Sequence, residues 1–219
     1  MTGLDTLPHA LRPARGEPAG ALVLLHGRGT SEQDLAPLFD ILDPDQRLVA
    51  AAPRGPHRLP PGGFHWYVVP RVGYPDPPTF ADSHVRLGAW LDGLAADTGV
   101  PRERTVLGGF SQGAVMSWAL GAMHADGSPP PPRPAGILAL SGFIPTVPDY
   151  EVDDAILAGL PVAIAHGRQD PIIGVEFGRA ARDRAEAAGA DVLYRESDVP
   201  HTIDPAVVPE LVDWMQARP

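Results

Sequence analysis

The chain of 219 residues contains no cysteine, no lysine and no asparagine, and all 17 of its basic residues are arginine. Without cysteine there is no disulfide framework, no thiolate nucleophile and no thiolate-bound zinc. Without lysine there is neither a Schiff base nor the phosphate-gripping lysine of a nucleotide-binding loop. Long apolar runs are missing too. No stretch reaches membrane-spanning length, and the start, "MTGLDTLPHALRPARGEPAG", has no basic segment followed by an apolar core. Positive charge is in deficit, 17 basic against 27 acidic residues for a net charge of −10, which opposes binding to nucleic acid or to anionic lipid. The expectations are a cytoplasmic protein with no nucleic-acid partner and no membrane insertion. A homodimer is left open.

What is present suits a folded protein, with 44% hydrophobic and 20% charged residues. The length suits a single α/β domain over residues 1–219, and nothing in it reads as a domain boundary. The stretches "ALVLLHGRG" (21–29), "RLVAAAPRG" (47–55), Thr105 to Leu107, "GILALSGF" (136–143), "PVAIAHG" (161–167) and "DVLYRES" (191–197) read as strands. One more strand is expected near residues 7–13. Helical spacing predicts helices over 31–42, 80–97, from just after Ser111 to about residue 124, 174–188 and 205–217. Residues 56–78 hold seven prolines together with aromatics and read as a long irregular loop, and "ADGSPPPPRP" as a surface connection. This alternation calls for a mainly parallel central sheet flanked by helices on both faces. The loops after the strands then share one rim, where a site belongs.

One of those loops is very short. In "VLGGFSQGAVMSWAL" an apolar strand breaks at two glycines, offers Ser111, and resumes with helical spacing at Val115, Trp118, Ala119 and Ala122. Gly109, Phe110, Ser111, Gln112 and Gly113 fit Gly-x-Ser-x-Gly in the strand-to-helix setting that gives the pattern meaning. Such a turn lifts a serine hydroxyl clear of the sheet. The helix behind it brings its positive end and unpaired N–H groups toward an oxygen that turns negative in acyl transfer.

A serine needs a base, and the base needs an orienting acid. In the chain order serine, acid, histidine, only His124, His166 and His201 lie downstream of Ser111, and only His201 follows the last strand. His124 falls at the far end of the helix, and His166, at a strand end, suits a structural hydrogen bond. Asp170 in "HGRQDPII" follows the strand before the last and fits the orienting acid, although a turn cap is its plainer reading. Asp198 and Asp204 lie too near His201 in sequence to suit the order. For the oxyanion, the backbone N–H of Gln112 supplies one donor, and the "HGRG" loop supplies a second at Arg28. Read as a dinucleotide fingerprint that loop fails, because Glu32 stands where the third glycine belongs.

With GFSQG, LLHGRG, the Trp66-Tyr67 pair, LSGF, HGRQDPII and a late histidine in this order, the chain resembles the carboxylesterase/phospholipase family that includes acyl-protein thioesterases, from about residue 20 to 216. The resemblance implies an α/β-hydrolase fold, no metal or other cofactor, and hydrolysis of small-molecule carboxylic esters, thioesters or lysophospholipids through an acyl-enzyme. It carries the nucleophile to Ser111, the acid to Asp170, the base to His201 and the oxyanion donors to Arg28 and Gln112. It also implies that Trp66, Phe143 and Ile172 line an acyl pocket. Three positions depart from the family pattern: Pro200 stands before the histidine in place of glycine, Val68 follows the aromatic pair in place of an acid, and Arg28 replaces an apolar residue. That guanidinium either favours a substrate carboxylate or phosphate or simply points outward. The 56–78 loop is expected to cover the site and restrict acyl length. Another serine hydrolase, such as a peptidase or lactonase, and a binding protein without turnover remain the alternatives.

Overall fold

The computed structural model describes residues 3–219; residues 1 and 2, which the single-domain reading includes, lie outside them. After a 3-10 turn at Gly3–Thr6 come β1 (His9–Arg12), β2 (Gly20–Leu25), α1 (Leu38–Leu42), β3 (Leu48–Pro53) and a small hairpin, β4 (His57–Arg58) with β5 (Phe64–His65). Next come α2 (Pro77–Thr98), β6 (Thr105–Phe110), α3 (Gln112–Ala122), β7 (Met123–Ala125), β8 (Gly136–Leu140), β9 (Tyr150–Val152) and α4 (Asp154–Leu157). The last elements are β10 (Pro161–Gly167), α5 (Val175–Ala187), β11 (Asp191–Ser197) and α6 (Val208–Gln216).

Seven strands form one sheet in the order β1-β3-β2-β6-β8-β10-β11. Every pairing is parallel except that of β1 on β3. Alternate residues of each strand feed opposite faces, as the two-residue repeat requires. Ala21, Val23 and Leu25 of β2 pack with Phe80, Leu87 and Trp90 of α2 and with Val115 and Ala119 of α3. Leu22 and Leu24 pack on the other side, with Phe39 and Leu42 of α1 and Leu211, Trp214 and Met215 of α6. Helix α3 is buried all round, since its remaining face, through Ala114, Trp118 and Ala122, meets Ile137 and Ala139 of β8 and Ala181 of α5.

The strand order places the site. From β2 the chain steps one way to β3, then returns past β2 to β6, so the loops leaving the C-terminal ends of β2 and β6 diverge and open a crevice between them. Ligands of open parallel sheets bind at such a reversal. The loop after β2 carries Arg28 and the turn after β6 carries Ser111.

Several expectations are corrected. The helix expected over 31–42 exists only over Leu38–Leu42, because Pro37 has no N–H to give and its ring disfavours helical backbone just before it. The helix expected over 80–97 starts earlier, at Pro77, where the Asp76 carboxylate accepts from the Thr79 N–H (3.2 Å) and proline suits the first turn. The helix after Ser111 stops at Ala122, and residues 123–125 form β7, paired antiparallel with β9; neither strand was legible. Within 56–78 the backbone is irregular apart from the β4–β5 hairpin, a single bridge between Arg71 and Tyr74, and residues 77 and 78, which begin α2. Among the described residues no helix is long and apolar enough to cross a membrane.

Candidate active site

Ser111 occupies the single residue between β6 and α3, with φ 56° and ψ −120°, a left-handed conformation that costs a non-glycine residue roughly 1–3 kcal/mol. The neighbouring backbone holds it there. Its N–H donates to the Leu140 carbonyl of β8 (2.9 Å), and its own carbonyl accepts from Val115 (3.2 Å). The flanking glycines let α3 reach the sheet. A Cβ on Gly113 would lie 1.8 Å from the Leu25 carbonyl oxygen, and one on Gly109 would lie 2.4 Å from the Gly113 carbonyl carbon.

The other two candidates of the chain order converge on this hydroxyl. His201 Nε2 lies 2.9 Å from Ser111 Oγ, and His201 Nδ1 lies 2.5 Å from Asp170 Oδ2. The Asp170 side chain is fully buried, and its Oδ1 accepts from the Ile172 and Ile173 N–H groups (2.8 and 2.9 Å). Asp170 therefore caps its turn and meets the imidazole with different oxygens, so the two readings of it coexist. With Nδ1 donating to a carboxylate, Nε2 is left as the acceptor for the serine proton. Phe110 packs on the imidazole, ring centroids 4.7 Å apart, a contact the sequence did not suggest. His166 does not reach Ser111: its Nε2–H donates to the Ile173 carbonyl (2.8 Å), and the same nitrogen lies 3.6 Å from Asp170 Oδ2, behind the acid of the relay. Asp198 pairs with Arg168 (2.9 Å) and Asp204 caps Ala206 (2.9 Å).

The loop after β2 is fixed from three sides. Gly55 N–H donates to His26 Nε2 (2.9 Å), so the imidazole proton sits on Nδ1 and donates to the Gly27 carbonyl (2.7 Å). Arg54 grips Glu32 with two nitrogens (2.6 and 2.5 Å). Gly29 N–H donates to Phe64 and Phe64 N–H to Thr30, both at 2.8 Å. The backbone N–H groups of Arg28 and Gln112 have no acceptor among the described residues. Both residues line one cavity with Ser111.

That cavity measures about 340 Å³ and is walled by Tyr67, Val69, Val72, Phe143, Ile172 and Ile173. Of the three residues expected to line an acyl pocket, Phe143 does so and Ile172 sits at its rim, 58% exposed. Trp66 does not line it, and this is a correction. It is 0% exposed, its indole N–H donates to the His26 carbonyl (2.8 Å), and its own N–H is accepted by Gln112 Oε1 (3.1 Å). Gln112 Nε2 donates in turn to the Tyr67 carbonyl (2.8 Å). Trp66 thus clamps the Arg28 loop from behind while Tyr67 faces the cavity. Trp66→Phe, which keeps an aromatic ring but removes the donor, is expected to lower kcat roughly tenfold by loosening that loop, against about 3–4 kcal/mol for losing a whole oxyanion donor. Ester hydrolysis kinetics check this; an unchanged kcat would reduce Trp66 to packing.

The chain matches the phospholipase/carboxylesterase family over residues 9–217. It belongs to that family. Acyl-protein thioesterase 1 of Yarrowia lipolytica is 28% identical over 184 residues, 78% of each chain. The same-named protein of Candida albicans is 28% identical over 196 residues, 81% of this chain and 82% of its own. Among solved structures, esterase PE8 superposes with a TM-score of 0.81 at 26% identity, covering 97% of this chain and 99% of the other. The Bacillus cereus carboxylesterase shares the fold, with a TM-score of 0.82 at 24% identity and coverage of 96% and 94%. This member of the family is a hydrolase acting on esters, built on an α/β-hydrolase fold.

Two histidines, His26 buried and His84 half-buried, are expected to make the stability of this hydrolase sensitive to acid. Burial holds His26 below its ordinary pKa, with Arg54 adding to that; the Gly27 carbonyl, Asp34 and Glu32 work the other way. Burial does the same to His84, helped by Arg102 and opposed by the Ala119 carbonyl, in a site walled by Phe80 and Tyr150. Below the unfolded value of about 6.5 the unfolded chain binds protons that the fold refuses. Stability is therefore full above that pH and falls on acidification toward the lowered native values. The melting temperature is expected to be lower at about pH 5.5 than at about pH 7.5, and His84→Gln to narrow the gap. An equal gap in the variant would remove His84 from the account.

Proposed function

We propose that the chain hydrolyses small carboxylic esters through an acyl-enzyme on Ser111. His201 Nε2 takes the serine proton as Oγ attacks the carbonyl carbon, while Asp170 holds Nδ1–H and stabilises the imidazolium. The N–H groups of Arg28 and Gln112 meet the oxygen as it becomes negative. Collapse of the tetrahedral intermediate breaks the ester bond, and His201 returns the proton to the leaving alcohol. Water then repeats the sequence, with His201 again as base, and releases the acid.

The observation that carries this reading is the unbroken relay from Ser111 Oγ through both imidazole nitrogens to a buried carboxylate, at 2.9 and 2.5 Å. A cavity of about 340 Å³ with largely apolar walls suits a short acyl chain, and Val69 and Val72 bring the 56–78 loop into its wall. The names of the relatives make thioesters the next class to try, since the same attack serves both. The single domain and the cytoplasmic location belong to the same proposal.

A panel of p-nitrophenyl esters of increasing acyl length, matched thioesters, lactones and peptide amides tests it. Turnover of short esters with little or no amide cleavage is expected. A folded sample that turns over none of the esters, or that prefers peptides, would overturn it.

A further inference from the structure

We propose that the cavity mouth selects esters carrying a carboxylate or phosphate a few bonds from the scissile carbonyl, held by the Arg28 guanidinium and the Tyr67 hydroxyl. This rests on the acyl-enzyme reading above and names the substrate class of that site.

The arginines point to it. Among the described residues nearly every one is tied to a carboxylate, a carbonyl, an amide oxygen or a ring: Arg12 to Asp43, Arg54 to Glu32, Arg168 and Arg179 to Glu196, Arg71 over Tyr74. Only Arg28 and Arg133 have no such partner there, and Arg133, beside Gly159, is outside the cavity lining. In a chain with ten more acidic than basic groups, acids to pair with are plentiful, so an unpaired arginine is out of pattern.

Tyr67 supplies the second observation. The residue is 2% exposed and lines the same cavity, yet its hydroxyl has no hydrogen-bond partner among the described residues. Its oxygen, unlike the indole nitrogens of Trp90 and Trp118, is not sealed from solvent, so the hydroxyl is open to a ligand. Burial keeps it protonated well above neutral pH, so it offers a donor. Its backbone is pinned through Gln112, which fixes where that donor stands.

Arg28, an exposed residue at the cavity mouth, and the buried Tyr67, neither with a side-chain partner among the described residues, thus both line a cavity whose lining contains no carboxylate and is otherwise mainly apolar. An acceptor-rich anion satisfies both. The guanidinium fork matches the two oxygens of a carboxylate or phosphate, and apolar walls strengthen a charge-assisted hydrogen bond relative to open water. A neutral alkyl ester would leave the hydroxyl unsatisfied and the guanidinium held only by solvent.

The test compares two matched pairs: p-nitrophenyl hydrogen glutarate with p-nitrophenyl valerate, and the butyrate ester of glycerol phosphate with that of glycerol. The first pair puts the anion on the acyl half and the second on the alcohol half. The readout is the anionic-to-neutral ratio of kcat/KM within each protein, after subtracting enzyme-free hydrolysis, so that any general loss from altering the oxyanion loop cancels. In at least one pair, Arg28→Leu is expected to lower the ratio about tenfold, Arg28→Lys less, and Tyr67→Phe a few-fold. Raising salt from about 20 mM to about 0.5 M should lower the wild-type ratio and leave that of Arg28→Leu unchanged. Ratios untouched by all three variants in both pairs, while the neutral esters are still cleaved, would overturn this inference alone. Failure of the wild type to cleave any of the four esters would overturn it together with the acyl-enzyme reading.

Discussion

Ser111→Ala is expected to lower kcat for a short aryl ester by a factor on the order of 10⁵–10⁶ while leaving the fold intact. The substitution removes one oxygen and nothing else. Alanine keeps the Cβ, the Leu140 and Val115 hydrogen bonds belong to the backbone, and the Gly109 and Gly113 approaches are untouched. What disappears is the atom 2.9 Å from His201 Nε2. The backbone N–H groups of Arg28 and Gln112 and the apolar cavity would remain, so a residual rate above that in water should persist. Hydrolysis followed at saturating ester, with circular dichroism to show that the variant is folded, measures it. A loss of less than about tenfold would mean that the attacking group is not this serine.

The second large effect is on folding. A Cβ at Gly113 would sit 1.8 Å from the Leu25 carbonyl oxygen and 2.8 Å from that of His26, both backbone atoms at the end of β2 that cannot swing aside. Gly113→Ala must therefore push α3 off the sheet, exposing apolar surface and separating the Gln112 N–H from the Arg28 N–H. A cost above about 3 kcal/mol is expected, worth roughly 10 °C in melting temperature for a chain of this size, or loss of soluble protein. Gly16→Ala is the control, because nothing lies within 4 Å of a Cβ built there. A Gly113→Ala protein that melts with the wild type would show that the elbow tolerates a side chain, and the close-approach account would fail.

The parts of this architecture that rest on local pattern were legible in the sequence. Strands such as "ALVLLHGRG" are continuous apolar runs because parallel strands are buried on both faces, and that signal needs no knowledge of partners. Ser111 and His201 were legible because strand ends in such a sheet share a rim, which turns chain order into spatial order. Trp66 was misplaced for the opposite reason. On an irregular loop no repeat tells which of two adjacent aromatics faces inward, and the answer lies in contacts 40 and 46 residues away, to His26 and Gln112. The Arg54–Glu32 clamp is hidden in the same way, since nothing local distinguishes a surface arginine from one 22 residues along the chain from its partner. The helix over 31–42 fell to Pro37, a breaker visible in the sequence but outweighed there by apolar spacing. Strands β7 and β9 stayed invisible because three-residue pairings carry almost no periodicity.

The most direct measurement is covalent. The protein is treated with a fluorophosphonate, its intact mass is recorded, and the modified peptide is mapped, with Ser111→Ala alongside. One phosphonyl group on Ser111, absent from the variant and accompanied by loss of ester hydrolysis, is the predicted result. A folded protein that hydrolyses esters yet takes up no label, or carries it on another residue, would contradict the account.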